Sequence, residues 1–371
     1  MNILVTGGAG FIGSHLVDAL VARGDRVRVV DKLEFQVHRG KKPAYLNPKA
    51  EYLFEDLLGE ADLPKTLHGV EAVVHLAALV GVGQSMYEVR RYMDGNTIAT
   101  AKLLEHLVLN QGKKLRRFVV ASSMSIYGEG LYQCAVHGKA APALRGTEQL
   151  NRHQWELACP HCAKPLTPVA TTEEKPLLPT SVYAISKRDQ EELTLVLGQA
   201  YQIPVVALRF FNVYGPRQSL LNPYTGACAI FSARLNHGKP PILYEDGLQK
   251  RDFIHVSDIV QAIMIALDHP QIPGQVLNVG TGSGACVREV AQALAKAYGS
   301  SIQPTVAGRY RAGDVRHCFA DISRLRSFGF EPRVRLEEGL LDLVKWGKSA
   351  DAADLFDAAE RELLERKLLG D

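Results

Sequence analysis

Short, almost wholly apolar runs recur along the chain, each about as long as a strand that is buried on both faces of a sheet. They predict strands at residues 2–6, 27–30, 51–54, 72–76, 117–121 and 205–210. Segments with helical periodicity separate these strands; the first, at 14–23, ends at Gly24. This alternation predicts an α/β fold, a doubly wound parallel sheet that binds its ligand at the carboxyl edge of the strands.

The turn between the first two strands is built on Gly7, Gly10 and Gly13, in the pattern G-x-x-G-x-x-G. Glycines here let backbone N–H groups approach a pyrophosphate at a helix N-terminus, where the helix dipole favours anions. The second strand ends at Asp31, whose carboxylate suits the ribose hydroxyls of an adenosine and repels a 2′-phosphate. The pattern predicts a dinucleotide site and favours NAD over NADP, although the positive charge of Lys32 argues the other way.

Later strand ends bring further residues to the same edge of the sheet. Asp56 is expected to meet the adenine, and the loop after His75 is expected to run along the phosphates and ribose. His75 itself is better explained as a packed, hydrogen-bonded side chain than as a catalyst. The cofactor contacts predicted beyond the glycine turn and Asp31 are Phe11, Ile12, Lys32, Asp56, Leu57, Leu76, Ala77, Ala78, Asn96, Ser122, Tyr183 and Lys187.

Tyr183 and Lys187 lie four residues apart at the start of a predicted helix, so their side chains share one helix face. For a tyrosine to act as a base at neutral pH, its pKa must fall from about 10 to about 7, which is roughly 4 kcal/mol. A positive charge about 4 Å away supplies about that much at an effective dielectric constant of 20. Lys187 and a bound cationic nicotinamide are therefore both expected to lower the pKa of Tyr183. The spacing alone is weak support, because packed tyrosines and solvated lysines often share it.

The strand at 117–121 leads into the sequence S-S-M-S-I-Y-G at 122–128. Together with the glycine turn and the Tyr183/Lys187 pair, this strand end resembles the extended short-chain dehydrogenases/reductases, and among them the nucleotide-sugar epimerases and dehydratases. The resemblance extends over about residues 1–346. It implies a Rossmann fold, NAD as the cofactor, and Ser123, Tyr183 and Lys187 as the catalytic residues.

Within that family the sugar 4,6-dehydratases carry Asp-Glu where this chain has Met124 and Ser125. Neither of these side chains transfers a proton at neutral pH, so dehydration is disfavoured, and so is the decarboxylase branch, which uses a glutamate at the second position. Cys318 lies where hexose epimerases carry either a bulky tyrosine or a small residue that sets the width of the sugar pocket. It either leaves room there or packs as a small hydrophobic residue.

The resemblance also implies where a nucleoside diphosphate sugar binds. The family's asparagine at the position of Asn212 reaches the phosphates, and Arg251 and Arg311 are expected to bind the diphosphate. Asp314, in the R-A-G-D sequence at 311–314, belongs to the third phosphate and ribose contact. Tyr224 either covers the sugar or only packs.

The connection between the catalytic serine and tyrosine is much longer than this family needs. It contains two C-x-x-[C/H] pairs separated by twenty-one residues, Cys134 with His137 and Cys159 with Cys162. Three thiolates and one imidazole at this spacing predict a structural zinc site, and zinc can order a segment too poor in apolar residues to build a core. His153 and His161 are alternatives to His137 as ligand. A redox-active C-x-x-C pair and an unliganded loop are the competing interpretations.

These patterns divide the chain into an NAD-binding domain at 1–210, with the zinc-type insertion at 130–172, and a substrate-binding lobe at 211–348 with segments that return to the main sheet. A C-terminal helix is expected in 349–371, with an apolar stripe at Leu355, Ala359, Leu363 and Leu364 and no evident chemistry. Apolar faces on the helix at 96–109 and on the Tyr183 helix, together with the family resemblance, predict a homodimer.

Charge and composition argue against several other classes of protein. A formal net charge of +3, without a basic run that contains interleaved aromatic residues, speaks against nucleic-acid binding. No apolar run approaches the length of a membrane span. Met1 and Asn2 lead directly into the first strand, and six cysteines in so long a chain do not suggest a disulfide scaffold, so a cytoplasmic location is expected.

The sequence therefore predicts an NAD-dependent nucleotide-sugar 4-epimerase that oxidises C4 transiently. The zinc-type insertion together with the epimerase signatures resembles the dTDP-L-rhamnose 4-epimerases, and this resemblance implies dTDP-L-rhamnose and dTDP-6-deoxy-L-talose as the sugar pair. UDP-hexoses and UDP-N-acetylhexosamines are the competing substrates, and an NAD(P)H-dependent 4-keto nucleotide-sugar reductase is the competing enzyme. An NAD-binding regulatory or scaffold protein is the alternative outside catalysis.

Overall fold

The computed structural model describes residues 1–59, 61–110, 115–350 and 353–370. In the first third of the chain, strands and helices alternate. The strands are β1 (Asn2–Thr6), β2 (Arg26–Val30), β3 (Glu51–Leu53), β4 (Ala72–His75) and β5 (Arg117–Ser123). The helices are α1 (Phe11–Arg23), α2 (Phe35–His38), α3 (Leu63–Leu67), α4 (Val82–Ser85), α5 (Val89–Tyr92) and α6 (Ala99–Asn110). A π-helical turn (Met93–Ile98) joins α5 to α6, and a 3-10 turn (Met124–Tyr127) follows β5.

The segment inserted before the next helix forms a small antiparallel sheet of its own. It consists of β6 (Leu131–Cys134), β7 (Gly138–Ala140), the helix α7 (Thr147–Asn151) and β8 (Thr167–Val169). Strand β6 lies in the centre, between β7 and β8. Its apolar cluster contains five buried residues, of which two are cysteines, so apolar burial within this segment is slight.

The remaining chain alternates long helices with mostly short strands. In order these are α8 (Val182–Tyr201), β9 (Val205–Phe210), β10 (Asn212–Tyr214), α9 (Ala227–Asn236), β11 (Ile242–Leu243), β12 (Lys250–Arg251), β13 (Phe253–His255), α10 (Val256–Asp268), β14 (Val276–Val279), β15 (Ala285–Cys286), α11 (Val287–Ala297), β16 (Thr305–Val306), β17 (Tyr310–Arg311), β18 (His317–Cys318), α12 (Ser323–Arg326), α13 (Leu336–Ser349), α14 (Phe356–Glu365) and β19 (Leu369–Gly370). Among the residues that the structure describes, no helix is long and apolar enough to cross a membrane.

The central sheet has seven parallel strands in the order β14-β9-β5-β4-β1-β2-β3. The chain winds outward in both directions from β1, so the order reverses between β1 and β4, where such sheets open a crevice for ligands. Helices α1 and α10 contribute to the apolar core on one face, and α6 and α8 to the core on the other. The predicted doubly wound parallel sheet is confirmed.

A row of buried polar side chains connects β4 to α8 beneath the carboxyl edge of the sheet. His75 Nδ1 lies 2.7 Å from Thr6 Oγ1, and His75 Nε2 lies 2.8 Å from Thr100 Oγ1. Gln190 donates to Thr100 Oγ1 at 2.6 Å and accepts from Lys187 Nζ at 2.6 Å. His75 is therefore a hydrogen-bonded structural residue, as predicted. Its burial, with a smaller contribution from the charge of Lys187, lowers its pKa to about 3.

This pKa predicts that acid weakens the fold through His75. The folded protein keeps the ring neutral down to about pH 3, whereas the unfolded chain takes up a proton below about pH 6.5. The neutral ring contributes its full stabilisation above about pH 6.5. Below that pH, the free energy of unfolding falls by about 1.4 kcal/mol for each pH unit until about pH 3. A His75→Gln variant should lose this part of the pH dependence.

Urea denaturation of both proteins at about pH 7 and about pH 4.5 measures the difference in unfolding free energy. The variant should be less stable than the wild type at neutral pH, because its hydrogen bonds are altered, but the gap should narrow in acid. If the free energy of unfolding fell equally in both proteins between the two pH values, the lowered pKa of His75 would be contradicted.

Candidate active site

A cavity of about 580 Å³ extends along the carboxyl edge of the central sheet and on toward strand β17 and helix α14. With the exception of Asn96, every residue predicted to bind cofactor or substrate or to act in catalysis lines this cavity. The four predicted metal ligands lie elsewhere, in the inserted segment. The fold thus brings together residues from the whole length of the chain.

The glycine turn between β1 and α1 is too tightly packed for side chains. A Cβ atom on Gly7, whose φ is +72°, would lie 2.8 Å from the backbone nitrogen of Ala77. A Cβ atom on Gly13 would lie 2.2 Å from the carbonyl oxygen of Gly7. Asp31 reinforces the turn, because its carboxylate accepts a hydrogen bond from the backbone N–H of Ala9 at 3.0 Å. This packing brings the N-terminus of α1 to the cavity, with the geometry that a pyrophosphate needs.

The charge of Lys32, which argued against NAD, is balanced by acidic neighbours. Its Nζ lies 3.2 Å from a carboxylate oxygen of Glu34 and 3.5 Å from one of Asp56. Arg91 also pairs with Glu34, at 2.8 Å. A 2′-phosphate in this region would meet Asp31 and two further carboxylates, so the electrostatics favour NAD over NADP.

Strand β5 and helix α8 bring Ser123 and Tyr183 together. Ser181 caps α8 by accepting from the backbone N–H of Ala184 at 3.1 Å, so the helix begins immediately before the tyrosine. Ser123 Oγ accepts from the backbone N–H of Ser125 at 3.2 Å and from its hydroxyl at 2.9 Å. Ser123 and Tyr183 line the same cavity, close enough that the serine hydroxyl acts to lower the pKa of the phenol.

The side chains around Tyr183 do not lower its pKa in the way that the spacing predicted. Burial raises the pKa of the phenol, and the neighbouring Ser123 hydroxyl only partly opposes this effect. Burial also lowers the pKa of Lys187 to about 7, against the attraction of Glu191, and Lys187 Nζ donates to Gln190. Desolvation therefore outweighs the expected help from the lysine.

Asn96, predicted to contact the cofactor, does not line the cavity. It lies in the π-helical turn, where its Oδ1 accepts from the backbone N–H of Leu79 at 2.7 Å. Its Nδ2 donates to the carbonyl of Leu79 at 3.1 Å and to Ser186 Oγ at 2.9 Å. Instead of the expected contact with the cofactor, Asn96 makes hydrogen bonds that tie the loop after β4, which lines the cavity, to helix α8.

At the other end of the cavity, two guanidinium groups flank one carboxylate. Arg251 Nη2 lies 3.4 Å and Arg311 Nη2 lies 3.5 Å from the two oxygens of Asp314. Burial would raise the pKa of Asp314, but the charges of Arg311, Arg251 and Arg145 outweigh it and hold that pKa below its usual range. Both arginines line the cavity, so their guanidinium groups can face an anion such as a diphosphate.

Buried polar atoms without partners also indicate a polar ligand. Within the described part of the chain, Ser122 Oγ, Asn212 Oδ1 and Arg311 Nε are buried and have no hydrogen-bond partner. Native proteins pair the great majority of such atoms with protein or water. All three residues line the cavity, so a dinucleotide along the sheet edge and a diphosphate near Arg311 fit the available donors and acceptors.

The C-terminal segment, to which the sequence assigned no chemistry, forms one wall of this cavity. Phe356, Leu363 and Leu368 line it, and strand β19 pairs antiparallel with β17, which carries Arg311. The apolar stripe indicated that α14 would be buried; Ala359 and Leu363 are, whereas Leu364 is exposed. What α14 packs against could not be inferred from the stripe. Positions 351, 352 and 371 of the predicted segment lie outside the described residues.

Two tyrosines complete this wall. Tyr224 donates a hydrogen bond to Glu362 at 3.1 Å, and its hydroxyl lies 2.9 Å from that of Tyr87. Tyr244 was not part of any sequence motif. The guanidinium carbon of Arg311 lies 4.6 Å from the ring centroid of Tyr244, and the Tyr244 hydroxyl donates to Glu360 at 3.1 Å. Tyr224 therefore lines the cavity and also joins it to the C-terminal helix.

Cys318 is buried and does not line the cavity. Its sulfur lies 3.8 Å from Thr171 Oγ1, in the interior behind the inserted segment. Of the two roles weighed for it, packing as a small hydrophobic residue is the one that its position supports.

The predicted metal ligands converge on one point of the inserted segment. Cys134 Sγ lies 3.7 Å from His137 Nδ1 and 3.7 Å from Cys162 Sγ, and Cys159 Sγ lies 3.6 Å from His137 Nδ1. All four ligand atoms lie within 4.8 Å of one another. Zinc–sulfur bonds of about 2.3 Å in a tetrahedron separate the ligand atoms by about 3.7 Å, so the spacing fits a zinc ion. Of the alternative ligands, His153 is stacked on Trp155 instead.

Known proteins resemble this chain along nearly its whole length. Residues 3–145 and 158–280 match the NAD dependent epimerase/dehydratase family, and the gap between them falls in the inserted segment. The chain is 36% identical over 349 residues to the dTDP-L-rhamnose 4-epimerase of Burkholderia thailandensis, covering 93% of this chain and 94% of the relative. It is 31% identical over 351 residues to the UDP-glucose 4-epimerase of Mycolicibacterium smegmatis, covering 93% and 98%.

Solved structures agree with the sequence relatives. A UDP-glucuronic acid 4-epimerase from Bacillus cereus, in complex with UDP-glucuronic acid and NAD, is similar with a TM-score of 0.77 and 29% identity, covering 94% of this chain and 99% of that one. A UDP-glucose 4-epimerase from Thermotoga maritima, with UDP-glucose, has a TM-score of 0.76 and 31% identity, covering 93% and 98%. The chain therefore belongs to the NAD dependent epimerase/dehydratase family.

Proposed function

We propose that the protein is an NAD-dependent nucleotide-sugar 4-epimerase. The observation that carries this proposal is that Ser123 and Tyr183 lie next to each other between the two ends of one cavity. One end has the glycine turn and acidic rim of a dinucleotide site, and the other has the arginines of a diphosphate site. A nucleotide sugar whose diphosphate is bound by the arginines would then present its C4 hydroxyl to Ser123 and Tyr183, beside the cofactor.

The glycine turn, Asp31 and the loop after β4 would hold NAD, which supplies a reversible hydride acceptor. Tyr183 takes the proton from the 4-hydroxyl of the sugar and returns it when the other epimer forms. Ser123 donates a hydrogen bond to the same oxygen and stabilises the charge that develops there. No net oxidation results, so no reductant is consumed.

The pKa of Tyr183 couples base catalysis to cofactor binding. Since burial raises that pKa, the phenol keeps its proton until positive charge enters the cavity. Lys187 lies one helical turn after Tyr183. Its ammonium group, which donates to Gln190 here, can rotate toward a ribose bound beside the tyrosine. We therefore assign Lys187 to holding the cofactor and to tuning Tyr183 in the loaded enzyme.

The substrate that we favour is dTDP-L-rhamnose, which would be interconverted with dTDP-6-deoxy-L-talose. The relative from Burkholderia thailandensis supports this choice, as does the apolar character of Leu363 and Leu368 in the cavity wall, which suits a methyl group at C6. UDP-hexoses are the second candidate, on the likeness to UDP-glucose 4-epimerases.

We further propose that the protein is a homodimer. Apolar side chains protrude from the π-helical turn and from α8, which lie side by side: Ile98 is 48%, Ile185 41% and Val196 64% exposed. Such a patch is costly to leave in water. Pairing with the same helices of a second chain would bury it symmetrically.

We also propose that Cys134, His137, Cys159 and Cys162 bind one structural zinc ion. Four protein ligands close the coordination shell, so this ion would have no open position for chemistry. The slight apolar burial in the segment supports a stabilising role for the metal.

Tyr183→Phe should reduce epimerisation at least about 100-fold, because the proton acceptor is lost, while cofactor content stays unchanged. The assay is proton NMR with a panel of dTDP- and UDP-sugars, with NADH absorbance followed in parallel. Tyr201→Phe, at the exposed end of the same helix, is the matched control and should keep full activity. Stoichiometric formation or consumption of NADH would favour a reductase, and no turnover of any sugar would favour a binding protein.

Val196→Glu should yield a monomer in analytical ultracentrifugation, because it introduces charge into the proposed interface. Val306→Glu is the control, since Val306 is also exposed but lies on β16, away from α8. A wild-type protein that sediments as a monomer would contradict the homodimer proposal.

Purified protein should contain about one zinc ion per chain by inductively coupled plasma mass spectrometry. His137→Ala should lose most of the metal, whereas His153→Ala should retain it. Equal metal content in both variants would contradict the proposed ligand set.

A further inference from the structure

The inserted segment packs along the back of residues 310–318, which we call the phosphate arm because it carries Arg311 and Asp314. At the start of the arm, Tyr310 donates a hydrogen bond to Asn151 Oδ1 at 2.6 Å. Trp155 packs on the same tyrosine ring, with centroids 6.5 Å apart. Both partners belong to the insertion, so the residue next to Arg311 is fixed from that side.

In the middle of the arm, the contact is made by Arg145, whose side chain is only 2% exposed. It donates to the carbonyl oxygen of Asp314 at 3.2 Å and pairs with Glu245 at 2.9 Å. Its charge also helps to hold the pKa of Asp314 below the usual range, against the effect of burial. One insertion residue thus holds the backbone of a residue that lines the cavity and adds positive charge beside its carboxylate.

At the end of the arm, Arg316 is fully buried and extends away from the cavity. Its Nε donates to Glu156 of the insertion at 3.0 Å, and its Nη1 pairs with Glu245 at 2.8 Å. The backbone N–H of Arg316 donates to Glu129 at 2.8 Å, and His317 Nε2 lies 3.1 Å from Glu156. Guanidinium groups held in this way have little freedom, because each N–H is directed at a fixed acceptor.

The same contacts lead back to the metal cluster. Tyr132 lies two residues before Cys134 on β6, and its hydroxyl donates to Glu129 at 3.0 Å. Gly130, just before β6, donates through its backbone N–H to the carbonyl of His317 at 2.9 Å. The only strands within the arm are β17 and β18, each two residues long, so its conformation depends on what it packs against.

We propose that the inserted segment positions the phosphate arm, and that Arg145, Asn151 and Glu156 are positioning residues for binding of the substrate diphosphate. The metal cluster would then affect substrate affinity without touching the substrate. This inference rests on the proposed function in one respect, that the arm binds a diphosphate.

The test is isothermal titration calorimetry of dTDP and UDP with the NAD-loaded protein. Asn151→Ala and Arg145→Lys should each raise Kd about five-fold, the ratio expected for losing one hydrogen bond of typical strength. Glu148→Ala is the matched control: Glu148 lies on the same helix α7, its side chain is 91% exposed, and its one ion pair is to Arg152. NAD content and melting temperature distinguish a moved arm from general damage.

Unchanged Kd values in the folded Asn151→Ala and Arg145→Lys variants would overturn the inference, and so would an equal rise in Glu148→Ala. Cys162→Ser provides an independent test: loss of the metal should raise the Kd of the diphosphate while NAD content stays at the wild-type level. A wild-type protein that binds dTDP or UDP but epimerises no sugar would contradict the proposed function and leave this inference standing.

Discussion

The close approach of backbone to backbone at the start of α1 is the constraint on which the site depends. Gly7 and Gly13 leave no room for a Cβ atom, so α1, β1 and the loop after β4 meet at van der Waals distance. The carboxyl edge of the sheet then lies next to a helix N-terminus. Ser123 at the end of β5 and Tyr183 at the start of α8 are placed relative to that edge by parallel pairing and helix packing.

The two ends of the cavity treat charge in opposite ways. Around Lys32 and Arg91, carboxylates match or outnumber the cations, so this end suits a ribose with free hydroxyl groups. Around Asp314, Arg251 and Arg311 line the cavity, so this end suits phosphates. Between them, buried Tyr183 and Lys187 have their pKa values displaced by desolvation, raised for the tyrosine and lowered for the lysine. Both shifts disfavour the charged forms, so charge at the reaction centre depends on what the cavity binds.

Much of the fold could be predicted from sequence because its signals are local. A parallel strand buried on both faces is a short apolar run, and the tight turn after β1 needs glycine, so the central sheet and the dinucleotide site were visible without structure. The catalytic residues that we propose come from motifs at fixed spacing. What the sequence did not reveal depends on distant partners: Asn96 bonds to the loop at Leu79, and Arg316 pairs with Glu156, 160 positions away. No local pattern specifies such contacts.

The wall contributed by residues 356–370 has a consequence for how the protein matures. A ribosome adds roughly 5–20 residues per second and releases the N-terminal part of a chain first. The strands up to β14 can therefore pair, and the cofactor crevice can form, before Leu363 and Leu368 have been synthesised. A nascent chain would pass through a stage in which the cofactor crevice has formed while the cavity still lacks the wall that these residues contribute.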